Sequence, residues 1–460
     1  MIDKHFIEKL VKIVGKKGVL TSPEDLAVYS YDGTFEECNP DVVVLPESTD
    51  QVSRVVKLAS SEHIPVVTRG MASGLAAASV PFSGGIALVM TRMDKIIELD
   101  LENATIQVEA GIVTADLQSY VEKHGLFYPP DPSSIRHSTI GGNIACNAGG
   151  PHCLKYGVTG DYVLGLTVVL ANGEILKTGG KVIKDVVGYN LKSLFTGSEG
   201  TLGVITEALL KLTAKPKFAR TALVEFASIQ DASKTVNEIL MAGIIPATLE
   251  LMDHTAINCI EEAMHLGLPT DVAAFLLIET DGIELESTIQ EIEAIAKICI
   301  QTGATKVSIA KDEIERANLW KARRSISPSL ARLAPNKLGE DITVPRNAIP
   351  EAVKRLKAIS QKYDLPIVIF GHAGDGNLHP NILFDKRDPE QMKKVEQMVA
   401  EEFNVALELN GTLSGEHGVG TLKRAYMNRA LGSVSIDIQK KIKQVLDPLN
   451  ILNPGKVLPD

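Results

Sequence analysis

Positive charge is in short supply in this 460-residue chain: 47 Lys and Arg stand against 57 Asp and Glu, a formal net charge of −10. Phosphate backbones are held by clustered Lys and Arg, so a nucleic-acid partner is not expected. Cysteine is scarce as well. The five, Cys38, Cys146, Cys153, Cys259 and Cys299, are scattered with no Cys-x-x-Cys pair. That excludes an encoded iron–sulfur cluster or disulfide framework and points to a reducing cytoplasm. No apolar run reaches the roughly 18 residues a transmembrane helix needs. The opening Met1-Ile2-Asp3-Lys4-His5-Phe6 begins a short amphipathic helix and lacks the apolar core of a signal peptide, so any membrane association is expected to be peripheral. No Gly-x-Gly-x-x-Gly opens a helix, which disfavours a Rossmann nicotinamide site.

The length implies two or three domains. From about residue 40 to 214, short apolar runs such as Val42-Val43-Val44-Leu45, Pro65-Val66-Val67-Thr68 and Ile86-Ala87-Leu88-Val89-Met90 alternate with glycine-rich turns and read as strands. Between the first two, Val52, Val55, Val56 and Ala59 recur at helical spacing, which predicts a strand–helix–strand opening. Lys215-Pro216-Lys217 marks a break. Beyond it, strands such as 222–226 and 273–278 alternate with helices over 229–242, 284–302 and 312–333, the rhythm of a ferredoxin-like α+β plait. The expected division is 1–214, 215–420, and a tail, 421–460, that packs back on the first part.

Three loops in the first part concentrate glycine and small polar residues. Arg69-Gly70-Met71-Ala72-Ser73-Gly74-Leu75 follows a predicted strand directly, where missing Cβ atoms let backbone N–H groups approach a phosphate. The segments Thr139 to Gly150 and Gly197 to Thr206 repeat the pattern with Asn and Thr interleaved. One such loop is an ordinary turn, but three in one domain imply a long buried anionic ligand.

The third part of the pattern is Gly371-His372-Ala373-Gly374-Asp375-Gly376-Asn377-Leu378-His379 together with Gly415-Glu416-His417-Gly418. Gly-Asp-Gly-Asn is turn chemistry in its own right. Two histidines plus a Glu-His pair go further: His372, His379 and Glu416 supply three N/O ligands of the kind that bind zinc, manganese or iron with a position left open. His417 would then remain to take a proton.

These segments, with Pro129-Pro130-Asp131-Pro132-Ser133 and Asn453-Pro454-Gly455-Lys456, resemble in order and over nearly the whole chain the FAD-linked D-lactate dehydrogenase and glycolate oxidase catalytic-subunit family, which includes D-2-hydroxyglutarate dehydrogenase. The resemblance implies an α+β fold with a vanillyl-alcohol-oxidase (PCMH)-type FAD-binding domain and a ferredoxin-like cap. It places FAD against Arg69, Gly70, Met71, Ala72, Ser73, Gly74 and Leu75 at the pyrophosphate. Further contacts fall on Pro130, Asp131, Ser133, Thr139, Gly142, Asn143, Asn147, Gly150, Gly200, Ile205 and Asn453. Relatives that bind FAD covalently use a histidine in the pyrophosphate loop; Met71, Ala72 and Ser73 stand here, so non-covalent FAD is expected.

In Trp320-Lys321-Ala322-Arg323-Arg324 the resemblance makes Arg323 the clamp of a substrate carboxylate, with Asn381 a further substrate contact. Arg324 is read as a helix surface residue. Lys337 lies in a stretch that cannot be aligned and receives no role; His137, His152 and Cys153 are assigned to structure. The implied reaction is oxidation of a D-2-hydroxy acid, D-lactate first, with His417 as base and one divalent metal. Glycolate and D-2-hydroxyglutarate are the alternatives within the family, and an NADPH-dependent reductase on the same fold stands outside it. Reduced flavin needs an acceptor. The resemblance points to an electron-transferring flavoprotein, and a homo-oligomer is compatible with it.

Overall fold

The structure is a computed structural model that describes residues 2–459. The chain forms two compact units. One holds the chain up to Gly149, Val158–Lys215 and the residues from Glu416 onward; the other holds Gly150–Gly157 and Pro216–Gly415.

In the first unit, strand Val42–Val44, helix Thr49–Ser61 and strand Val66–Arg69 succeed one another. Ser48 caps the helix by accepting from the Gln51 amide, which satisfies one of its orphan donors. Both strands pair in parallel with Ile86–Val89. Val42, Val44, Ile86 and Leu88 pack on the helix through Val52, Val55, Val56 and Ala59. Val43, Leu45, Ala87 and Val89 cluster with Leu20 and Leu26. Burial on both faces explains the unbroken apolar runs. A second, antiparallel sheet runs in the order Ile96–Asp100, Thr105–Glu109, Val204–Lys211, Val163–Val169, Ile175–Gly179. Helix Ile140–Cys146 is capped by Thr139. A Cβ at Gly141 would lie 2.7 Å from the Ala110 Cβ, so only a residue without one lets this helix sit against the end of the second strand. The C-terminal segment returns to Val66: the Val66 amide donates to the Ile451 carbonyl (2.7 Å) and the Asn453 amide to the Val66 carbonyl (2.9 Å).

The second unit is built on an antiparallel sheet in the order Ala304–Ile309, Phe218–Phe226, Ala274–Gly282, Thr248–Asp253, Ile367–His372, Asn377–Phe384, Asn336–Gly339, with Ile342–Thr343 also pairing on Asn377–Phe384. The first four of these strands stand fourth, first, third, second in chain order. With helices Ile229–Met241 and Leu285–Gln301 they form the expected split plait, and an additional helix, His254–Met264, precedes the third strand. Helices His254–Met264 and Glu313–Leu330 bury Ile257, Ile260, Trp320, Ile326 and Leu330 against Phe275, Leu277 and Phe370. Among the described residues no helix is long and apolar enough to cross a membrane.

Candidate functional site

The first unit holds a cavity. Arg69, Gly70, Met71, Ala72, Ser73, Gly74 and Leu75 line it, as do Ser133, Thr139, Gly142, Asn143, Gly200, Ile205 and Asn453. All three glycine loops therefore converge, although nearly 130 residues separate the first from the last. Their geometry explains their composition. Ala72 adopts φ +55. A Cβ at Gly70 would lie 2.2 Å from Thr139 Oγ1, whereas one at Gly74 would meet nothing within 4 Å. At Gly74 the backbone is thus bare, the form a pyrophosphate-binding loop requires, and the residues present fit FAD.

Four expected contacts are not among the lining residues. The Pro130 carbonyl accepts from Gln118 Nε2 (3.0 Å). Asn147 ends the Ile140–Cys146 helix at φ 53, and its Oδ1 accepts from the Gly160 amide (2.8 Å). Gly150 belongs to the second unit. Asp131 lies next to the lining residue Pro132 without lining the cavity itself.

Glu416 and His417 line this same cavity; His417 Nε2 stands 4.0 Å from Glu416 Oε1. Glu199 and Cys146 join them, and sequence reasoning assigned neither. Burial pushes the Cys146 thiol up to about 12, so it carries no thiolate at neutral pH. Burial also raises the Glu199 carboxyl, against the pull of the Val419 and Gly420 amides and of Lys423 and Lys456.

In the second unit, the hairpin register sets Phe370 opposite His379 and His372 opposite Asn377. With side chains alternating between faces, His372, Asn377, His379 and Asn381 share one face. The rings of His372 and His379 lie 5.2 Å apart, centroid to centroid. Two acidic partners stand beside them that no motif announced. Glu250, fully buried, binds His372 Nδ1 through Oε1 and accepts from Arg323 Nε through Oε2 (2.6 Å). Burial alone would raise this carboxyl, but Arg323 and His372 outweigh it and hold it below the usual range. Asp341, also fully buried, accepts from Asn377 Nδ2 and Ser414 Oγ, both at 2.7 Å. Its carboxylate and the His379 imidazole offer ligand atoms within 4.8 Å of each other. The Asp341 carboxylate and the His379 imidazole are donors of the kind that suit a divalent cation, and His372 stands beside them with its Nδ1 tied to Glu250, the kind of outer contact that orients a histidine ring.

Arg323 differs from the expected free clamp. Two of its nitrogens face Glu250 and its guanidinium stacks 4.9 Å from the Phe370 ring centre, which leaves Nη1 as the remaining donor edge. Asn381 Nδ2 donates to the His379 carbonyl (2.9 Å). Lys337 pairs opposite Leu383, two places along from the Gly339–Asn381 pair, so it lies on the histidine face. Its ammonium donates to Ser327, and burial pushes its pKa down. Alternate residues of a short edge strand carry no signal that could have identified it. His152 stacks on Trp320 at 6.1 Å, a packing role.

Residues 40–179 match a family described as an FAD binding domain, and residues 215–457 one described as FAD linked oxidases, C-terminal domain. The chain is 48% identical over 458 residues to "Glycolate oxidase subunit GlcD" of Bacillus subtilis (strain 168), covering 99% of this chain and 97% of the relative. It is 39% identical to the protein of the same name in Escherichia coli (strain K12), over 96% and 88% of the two chains. To a D-lactate dehydrogenase of Anaerostipes hadrus it is 35% identical over 99% and 98%. Among solved structures, p-cresol methylhydroxylase with substrate bound superposes with a TM-score of 0.83 at 18% identity, covering 99% of this chain and 96% of the other. A 4-ethylphenol oxidase from Gulosibacter chungangensis gives 0.80 at 19%, over 99% and 97%. These structural likenesses establish the vanillyl-alcohol-oxidase type of fold.

Proposed function

The chain belongs to the FAD-linked oxidases, and from that premise we propose that it oxidises a short 2-hydroxy acid, D-lactate to pyruvate, with one non-covalent FAD and one divalent cation. One observation carries the reading: Glu416 and His417 line the cavity formed by the glycine loops, which brings acid–base groups to the cofactor site. Bound FAD supplies the acceptor for the electron pair that leaves Cα. A bound cation supplies a Lewis acid that acidifies the hydroxyl. The chain's own residues do the rest. His417 takes the hydroxyl proton on a ring nitrogen, so that hydride and proton together account for both hydrogens lost. Arg323 meets the substrate carboxylate through Nη1, and Glu250 and Phe370 fix its plane.

For the cation we propose His372, His379 and Glu416, with Asp341 as an additional oxygen donor. Glu416 follows two residues after Ser414, whose hydroxyl holds Asp341. Two extended residues span at most about 7 Å, so the chain itself tethers Glu416 within reach. The reading places the protein in the cytoplasm, where its five free thiols stay reduced, and hands the electrons to a partner protein, an electron-transferring flavoprotein. A second reading, oxidation of glycolate, is favoured by the relatives at 48% and 39% identity.

Anaerobic addition of D-lactate, glycolate and L-lactate to the yellow protein tests the proposal. Flavin bleaching by D-lactate without nicotinamide is expected. Faster bleaching by glycolate selects the second reading, and no bleaching by either acid sinks both.

A further inference from the structure

Beside the glycine loop Gly197–Gly203, the cavity takes in one carboxylate that the reaction does not use. Glu199 is 5% exposed and holds a left-handed backbone, φ +49, between Gly197 at +76 and Gly200 at +70. Such a conformation strains a residue with a side chain and persists only where its surroundings over-determine it. They do so here. Its amide donates to the Ala145 carbonyl (2.8 Å), and its carbonyl accepts from Asn453 Nδ2 (2.6 Å). The carboxylate then divides between two consecutive amides: Oε1 accepts from Val419 (2.7 Å) and Oε2 from Gly420 (2.8 Å). A Cβ at Gly418 would come within 2.9 Å of Oε1, so glycine there is what lets the chain close on the acid.

We propose that Glu199 is a positioning residue: its carboxylate pins the backbone immediately after Glu416-His417 and thereby sets where the His417 imidazole enters the cofactor cavity. The inference rests on the assignment of proton transfer to His417. A carboxyl group that accepts from two adjacent amides fixes their position relative to its own. A displacement of about 1 Å at a reacting group can cost roughly 100-fold in rate.

The test uses the holoenzyme and a double-mutant cycle. In Glu199→Gln, one amide keeps an oxygen acceptor and the other faces an NH2. Flavin reduction by whichever 2-hydroxy acid bleaches the wild type should slow by roughly 10- to 100-fold, with FAD content and KM little changed. In a His417→Ala background the same substitution should cost nothing further, because the group it misplaces is gone. Gly418→Ala, which crowds Oε1 from the other side, should repeat both results and decides the matter should Glu199→Gln lose its flavin. Wild-type rates in a flavin-loaded Glu199→Gln protein overturn the proposal, as does an equal loss in both backgrounds. Loss of FAD from both variants also overturns it, since the acid then holds the cavity rather than the base. Wild-type reduction by His417→Ala alone would remove the base assignment itself, an outcome distinct from slow His417→Ala with an unaffected Glu199→Gln.

Discussion

His417 and Glu416 are neighbours in sequence to which the proposed reaction gives different duties, and single substitutions separate them. His417→Ala should keep FAD and metal while flavin reduction slows by roughly 10²–10⁴-fold, the usual loss for a general base. Stopped-flow reduction on protein assayed for metal checks this; missing metal would make His417 a ligand instead. Away from the site, Glu402 is fully buried and neither carboxyl oxygen has a hydrogen-bond partner among the described residues. Burial first, then Glu340, raises its carboxyl well above the ordinary range. An acid whose folded-state affinity for protons is raised stabilises fully below its unfolded pKa and loses that contribution as pH climbs through the folded value. Glu402→Met should therefore raise the unfolding free energy by about 1–3 kcal/mol at pH 8, with the advantage shrinking toward pH 4.5. Denaturant midpoints at both pH values would show it, and an equal gain at each would contradict the ionisation argument.

At the scale of the element, the hairpin 367–384 creates the histidine face. The residues gave the Gly-Asp-Gly-Asn turn and the two histidines as candidate ligands; the cross-strand register, with Phe370 opposite His379, is what puts both histidines on one side. Its turn depends on Gly376, at φ +87 with a Cβ position 2.1 Å from the Val344 carbonyl oxygen. Gly376→Ala should lower stability by about 2–4 kcal/mol, from left-handed strain together with overpacking, and should reduce bound metal. Gly243→Ala shares the positive φ, +78, but meets nothing within 4 Å, so a loss of only about 1 kcal/mol is expected. Equal losses in urea unfolding would show that the close approach is immaterial. Helix Thr49–Ser61 was legible from the residues, because Val52, Val55, Val56 and Ala59 fall on one stripe.

For the molecule as a whole, FAD is expected to release into solution on acid precipitation, because Met71-Ala72-Ser73 offers the flavin no histidine to attach to; yellow colour left on the pellet would contradict this. What the sequence determined by itself was the set of parts. Glycine loops, paired histidines and the Glu-His step are local patterns whose conformational and ligand chemistry is written in the residue types. What only the tertiary structure decided was which distant residues complete them. Glu199 against Val419 and Gly420, Glu250 between Arg323 and His372, and Asp341 beside His379 are each joined across long stretches of chain. An isolated acid in a sequence looks the same whether it is solvated or buried against a partner; burial and tertiary contact gave these three their partners. The same folding brings the Arg323 guanidinium of helix Glu313–Leu330 onto Glu250.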